Sequence, residues 1–139
     1  MNTDLQKKLE RFCAYQERCK QDVLRKIAAL QQAAKRDRGT DRRSVRVADF
    51  TQKDIIEVLD YLEREKFIDE NRFACIFAVS KLRQKQWGQR KIKAHLKIKN
   101  ISAENIQDAI NSLDREEYEA IRNKLISTKG EKIAFAHGF

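Results

Sequence analysis

Residues 82–101, LRQKQWGQRKIKAHLKIKNI, decide how the rest of the chain is read. Ile92 and Leu96 fall four apart on one helical face, while Arg90, Lys93 and Lys97 repeat at three and four on another. Trp87 and Gly88 mark the start of this helix, and Asn100, which tolerates the left-handed backbone of a helix end, marks its finish. Residues 81–100 hold eight Lys or Arg and no Asp or Glu, and so carry +8 of the formal +9; the other 119 residues nearly cancel. The stretch predicts an amphipathic helix with a basic face.

The surrounding chain reads as helix almost throughout. It contains no Pro and four Gly among many Lys, Glu, Gln, Ala, Leu and Ile, residues that cost little in a helix. At 139 residues and 41% apolar content it can build a modest core, which excludes a large multi-lobed enzyme. Residues 4–34 predict helix with a break near 18–21; Leu5, Leu9, Phe12, Cys13, Val23, Leu24, Ile27 and Ala28 form its apolar stripe. Residues 31–48 lose that rhythm and crowd six basic residues around Gly39, which reads as a loop or, with 44–48 extended, a short hairpin.

Thr51 is a good cap for a helix that turns Ile55, Val58, Leu59 and Leu62 inward. The next helix, 70–85, carries Phe73, Ile76, Phe77, Val79 and Leu82 on more than one side, and should be the most buried. Ser102 caps a helix through Ile106, Ala109, Ile110 and Leu113, a final helix covers 115–128, and GEKIAFAHGF follows as a short aromatic tail.

Overlaying these pieces reveals a repeat. Phe50-x4-Ile55-x2-Val58-Leu59-x2-Leu62 matches Ile101-x4-Ile106-x2-Ala109-Ile110-x2-Leu113 at an offset of 51. Cys19-x3-Val23-x3-Ile27 matches Gly88-x3-Ile92-x3-Leu96 at 69, and the difference of 18 is the length of the insertion at 31–48. The expected fold is all-α, tandem three-helix repeats in an elongated modular arrangement. Its divisions are a first repeat at 1–66, a second at 67–114, and a truncated third with the tail at 115–139.

Signals for chemistry are sparse. The sequence has no phosphate-binding Gly-rich loop and no nucleophile elbow, and His95 and His137 have no sequence partners, so His95 reads as a helix-surface residue. Cys13, Cys19 and Cys75 have no metal-ligand spacing and read as reduced thiols. No enzyme, metal or cofactor is expected. No apolar run approaches the ~18 residues of a membrane span and the N-terminus lacks a hydrophobic signal region, so a cytoplasmic protein without a membrane partner is expected.

The motif Phe67-Ile68-Asp69-Glu70-Asn71-Arg72-Phe73-Ala74, followed by Gly88-x3-Ile92-x3-Leu96-x2-Lys99-Asn100-Ile101, resembles the RecX family, regulators of the bacterial RecA recombinase. Lys99-Asn100 stands where the family pattern has Lys-Gly, and the 31–48 insertion replaces a short turn. The resemblance implies tandem three-helix repeats that bind in the groove of RecA–DNA filaments and inhibit strand exchange and ATP hydrolysis.

Eight like charges in one segment repel one another, a cost that an anionic partner relieves. The candidate nucleic-acid contacts are Arg83, Lys85, Trp87, Arg90, Lys91, Lys93, Lys97 and Lys99, with Arg36, Arg38, Arg42 and Arg43 of the insertion as a second set. The expected partners are RecA filaments and single-stranded or double-stranded DNA, met by a monomer. Two other readings stand beside this one: a helix-turn-helix-like DNA-binding module that does not act through RecA, and a helical scaffold whose charge only confers solubility.

Overall fold

The computed structural model describes residues 2–36 and 50–139, the side chains of 34–36 aside. Among these residues are eight helices and no strand: α1 (Thr3–Tyr15), α2 (Lys20–Arg36), α3 (Gln52–Arg64), α4 (Glu70–Lys85), α5 (Gln89–Ile98), α6 (Ala103–Asn111), α7 (Arg115–Lys129) and α8 (Glu131–Ala136). The all-α expectation holds. The chain forms two compact units, Met1–Asp69 and Glu70–Phe139.

In the first unit the expected break falls at 16–19, where Gln16 is extended. Leu5, Leu9 and Cys13 of α1, Val23 and Ile27 of α2, and Val58 and Leu62 of α3 close one core with Phe50 and Ile68. Thr51 caps α3 through a reciprocal box with Asp54, which satisfies two otherwise orphaned backbone donors. Tyr61 donates to the Glu10 carboxylate (2.7 Å), tying α3 to α1. The buried row of α2 is narrower than its apolar stripe: Cys19, Val23 and Ile27 recur every four residues, while Leu24 and Ala28, one position on, face solvent. The hairpin reading of 44–48 lies outside the described residues.

In the second unit α4 buries Phe73, Ala74, Ala78 and Leu82. Apolar side chains lie on more than one side of it, as expected, but not all of them are buried. Ile76 is 48% exposed, and Phe77 and Val79 are half-buried. One face of α4 enters the core, and the row of Phe73 and Phe77 packs ring to ring (5.8 Å between centroids) beside it. Ile92 and Leu96 anchor α5, while Ile106, Ala109 and Ile110 anchor α6, whose Ser102 cap accepts the Asn105 amide. Asn71 donates to Asn105 (3.1 Å) and Asp108 (3.0 Å), joining α4 to α6.

The repeat read from the sequence recurs as a pattern of burial. Cys19, Val23 and Ile27 are buried, and so are their counterparts Gly88, Ile92 and Leu96. The same offset of 69 relates Leu5, Leu9 and Cys13 of α1 to Ala74, Ala78 and Leu82 of α4, again all buried. Thr51 and Ser102 cap equivalent helices. Asn100 adopts φ 60, the left-handed conformation expected of it.

The tail differs from expectation. Residues 131–136 form α8, after which the chain turns back onto the start of α5. The Gly88 amide donates to the His137 carbonyl (2.8 Å), the Arg90 amide to the Gly138 carbonyl (3.2 Å), and the Gln89 amide to the Tyr118 hydroxyl (3.0 Å). These bonds satisfy donors that a helix N-terminus leaves without intrahelical partners. Gly138 has φ 99, and a Cβ there would sit 2.6 Å from the Lys91 backbone nitrogen. Gly138→Val should therefore detach the tail and lower the melting temperature of this unit by several degrees. Calorimetry on the variant checks this, and an unchanged melting temperature would mean that the contact contributes nothing.

Candidate nucleic-acid interface

The eight basic side chains of 81–100 divide into groups with different environments. Arg83, near the end of α4, forms a two-pronged pair with Glu117 of α7 (2.5 and 3.1 Å). The bond to Arg83 holds the Glu117 carboxyl below the usual carboxylate range. Arg90 donates to the carbonyls of Phe135 (2.8 Å) and Phe139 (3.0 Å), and its guanidinium lies 3.8 Å from the centre of the Phe135 ring. Both arginines were expected to meet an external anion; in the structure they bind the rest of the chain. An arginine fork matches carboxylates and carbonyls well enough to be claimed by whichever is nearer.

A second group surrounds Trp87. The ring is half-buried and packs edge-on against Phe77 (6.4 Å) and tilted over His95 (4.4 Å). The ammonium groups of Lys81 and Lys91 approach its centre to 5.1 and 4.7 Å, and Lys81 also lies 5.4 Å from Phe77. Lys99 stands 5.6 Å from Phe73 at the far end of the strip. Phe73, Phe77 and Lys81 follow a four-residue row on α4, and Trp87, Lys91, His95 and Lys99 follow another along α5, so two facing rows make one cation–aromatic surface. Lys85, Lys93 and Lys97 complete the basic set and have no acidic partner among the described residues.

His95 is not the plain surface residue its sequence context suggested. Its ring packs on Trp87. Burial, then Lys91, Lys81 and Lys99, push its pKa below the ordinary histidine value, so it stays neutral at neutral pH. Sequence reading also missed Lys81 and Phe77 as members of the surface, and the buried Phe73 as the ring beneath Lys99. The signal was present in the two four-residue rows 73/77/81 and 87/91/95/99. Of the insertion's residues, Arg36 ends α2 and its side chain, like all of Arg38, Arg42 and Arg43, lies outside the described residues.

The first unit offers a control for what packing alone requires. At the positions of Lys81, Trp87 and His95 it has Phe12, Arg18 and Lys26, and there too cation meets ring: Arg18 lies 3.8 Å and Lys26 5.5 Å from the Phe12 centroid. The remaining positions differ, with Asp22 where the second unit has Lys91 and Leu30 where it has Lys99. A cation–aromatic contact at this place therefore serves the repeat. Lys91 and Lys99 add two positive charges to the second unit at positions where the first has Asp22 and Leu30, and they too lie over rings, of Trp87 and Phe73.

This is an all-α repeat protein whose second unit bears a cation–aromatic face, and the described residues hold no cluster of His, Cys, Asp or Glu fit for a metal and no helix long and apolar enough to cross a membrane. Residues 69–110, which hold α4, α5 and α6 and most of that face, match the family model for RecX, second three-helix domain. Over 84 residues the chain is 33% identical to the Regulatory protein RecX of Clostridium tetani, a match covering 60% of this chain and 38% of that protein. Over these residues the chain is similar to the RecX family. It spans about two fifths of the length of the curated relative it matches. No solved structure matches the chain significantly.

Proposed function

We propose that this protein is a non-enzymatic regulator of RecA that binds RecA–DNA filaments and inhibits strand exchange and ATP hydrolysis, with the Trp87 face turned toward DNA phosphates. The match of residues 69–110 to the RecX domain supports the RecA side of this reading. The observation that carries the DNA side is the convergence of Lys81, Lys91 and Lys99 on one aromatic strip, with Lys85, Lys93 and Lys97 nearby. Phosphates release counterions when lysines meet them, and an aromatic strip stacks bases without regard to sequence.

The same geometry weighs against α5 as a recognition helix in a helix-turn-helix. Such a helix reads base edges with its N-terminal residues, and in this protein the tail and Tyr118 occupy the N-terminal amides and hold Arg90. Sedimentation with RecA assembled on single-stranded DNA tests the proposal. The protein should pellet with filaments more fully than with DNA alone, and pelleting equally with bare DNA would leave only a general DNA binder.

A further inference from the structure

We infer that His95, together with Lys81, Lys91 and Lys99, forms a phosphate site that takes up its ligand along with a proton. The inference rests on the reading that this face meets nucleic acid, and it adds the chemistry of one residue to it. His95 lies on α5 with its ring against Trp87 (4.4 Å). The charged groups that act on it are Lys91 and Lys99 from its own helix and Lys81 from α4, all cationic. In that company the imidazole gives up its proton, since a further positive charge on a half-buried ring is unfavourable.

A phosphate reverses the balance. Placed among Lys81, Lys91 and His95, it contributes negative charge next to the ring and an oxygen that accepts a ring N–H, and both favour imidazolium. The proton comes from water, and the bound form then has one more donor to phosphate than the free form has. By linkage, a site that gains a proton on binding gains affinity as pH falls, by up to about tenfold per pH unit between the free and bound pKa values. DNA phosphodiesters do not titrate in this range, so the pH dependence belongs to the protein.

The test uses the full chain and a single-stranded oligothymidylate, read by fluorescence of Trp87, the one tryptophan in the sequence. Affinity should rise about tenfold from pH 8 to pH 6. His95→Gln, which keeps a polar side chain but cannot titrate, should flatten the profile. In the unaltered protein, the proton resonances of His95 should report a higher pKa with oligonucleotide than without, a readout that does not depend on the variant folding. Binding with the same pH profile in both proteins, or a His95 pKa that oligonucleotide leaves unmoved, overturns the proton-linked site and leaves the proposed function standing. Failure to bind at any pH overturns the proton-linked site and the turning of this face toward DNA, and leaves the RecA side of the proposed function to the sedimentation test. Polyglutamate competing on equal terms, with the same pH profile, would assign the face to an acidic protein surface instead of phosphate.

Discussion

Ile92→Asp should abolish the folded second unit. Ile92 is fully buried in α5, and no polar or charged side chain is buried among the described residues to partner a carboxylate there. An uncompensated buried charge costs several kcal/mol, comparable to the whole stability of a small domain at about 5–15 kcal/mol. Because α5 carries Lys91 and His95, ends at Lys99 and offers its N-terminus to the tail, its loss removes the candidate face as well. Circular dichroism and thermal melting read the outcome. A variant with unaltered helicity and melting temperature would show that the helix is rotated and that its basic and apolar faces have been exchanged in this account.

The second large effect concerns charge without loss of fold. Lys81→Glu, Lys91→Glu and Lys99→Glu together should weaken single-stranded DNA binding by about a hundredfold at low salt. With about four phosphate contacts at ~0.7 counterions each, the log–log slope of affinity against salt should be roughly −3 for the unaltered protein and about −1 for the variant. The variant should remain folded with a lowered melting temperature, because the three lysines are half-buried and give up cation–aromatic contacts of about 0.5–1 kcal/mol each. Arg90 is left out of this set on purpose: reversing it would also break its bonds to Phe135 and Phe139 and loosen the tail, so a loss of binding would have two explanations. A triple variant that binds with unchanged affinity and slope would remove the Trp87 face from DNA recognition.

Much of the architecture was legible in the sequence because it rests on periodicity. Ile92 and Leu96 fixed the phase of α5, the offsets of 51 and 69 aligned buried positions in both units, and Asn100 identified a left-handed helix end. Those signals are local or repeat-based, and packing follows them. The face was only half legible. Counting charge finds the basic segment but does not distinguish Arg83 and Arg90, which the fold uses internally through Glu117 and the tail, from Lys91 and Lys99, which gather around aromatic rings. The difference depends on α7 and α8 returning to α4 and α5, contacts that join residues 34 and 49 positions apart. His95 was misread for the same reason, since its neighbour Lys81 comes from another helix. Helix α8 escaped notice because six residues carry too short a pattern to reveal a period.

The decisive partner is RecA. Its DNA-dependent ATP hydrolysis, measured with RecA on single-stranded DNA while this protein is added in increasing amounts, should fall progressively. The Lys81→Glu, Lys91→Glu, Lys99→Glu variant should inhibit much less at the same concentrations while remaining folded. ATP hydrolysis that continues undiminished at saturating amounts of the unaltered protein would contradict the proposed function.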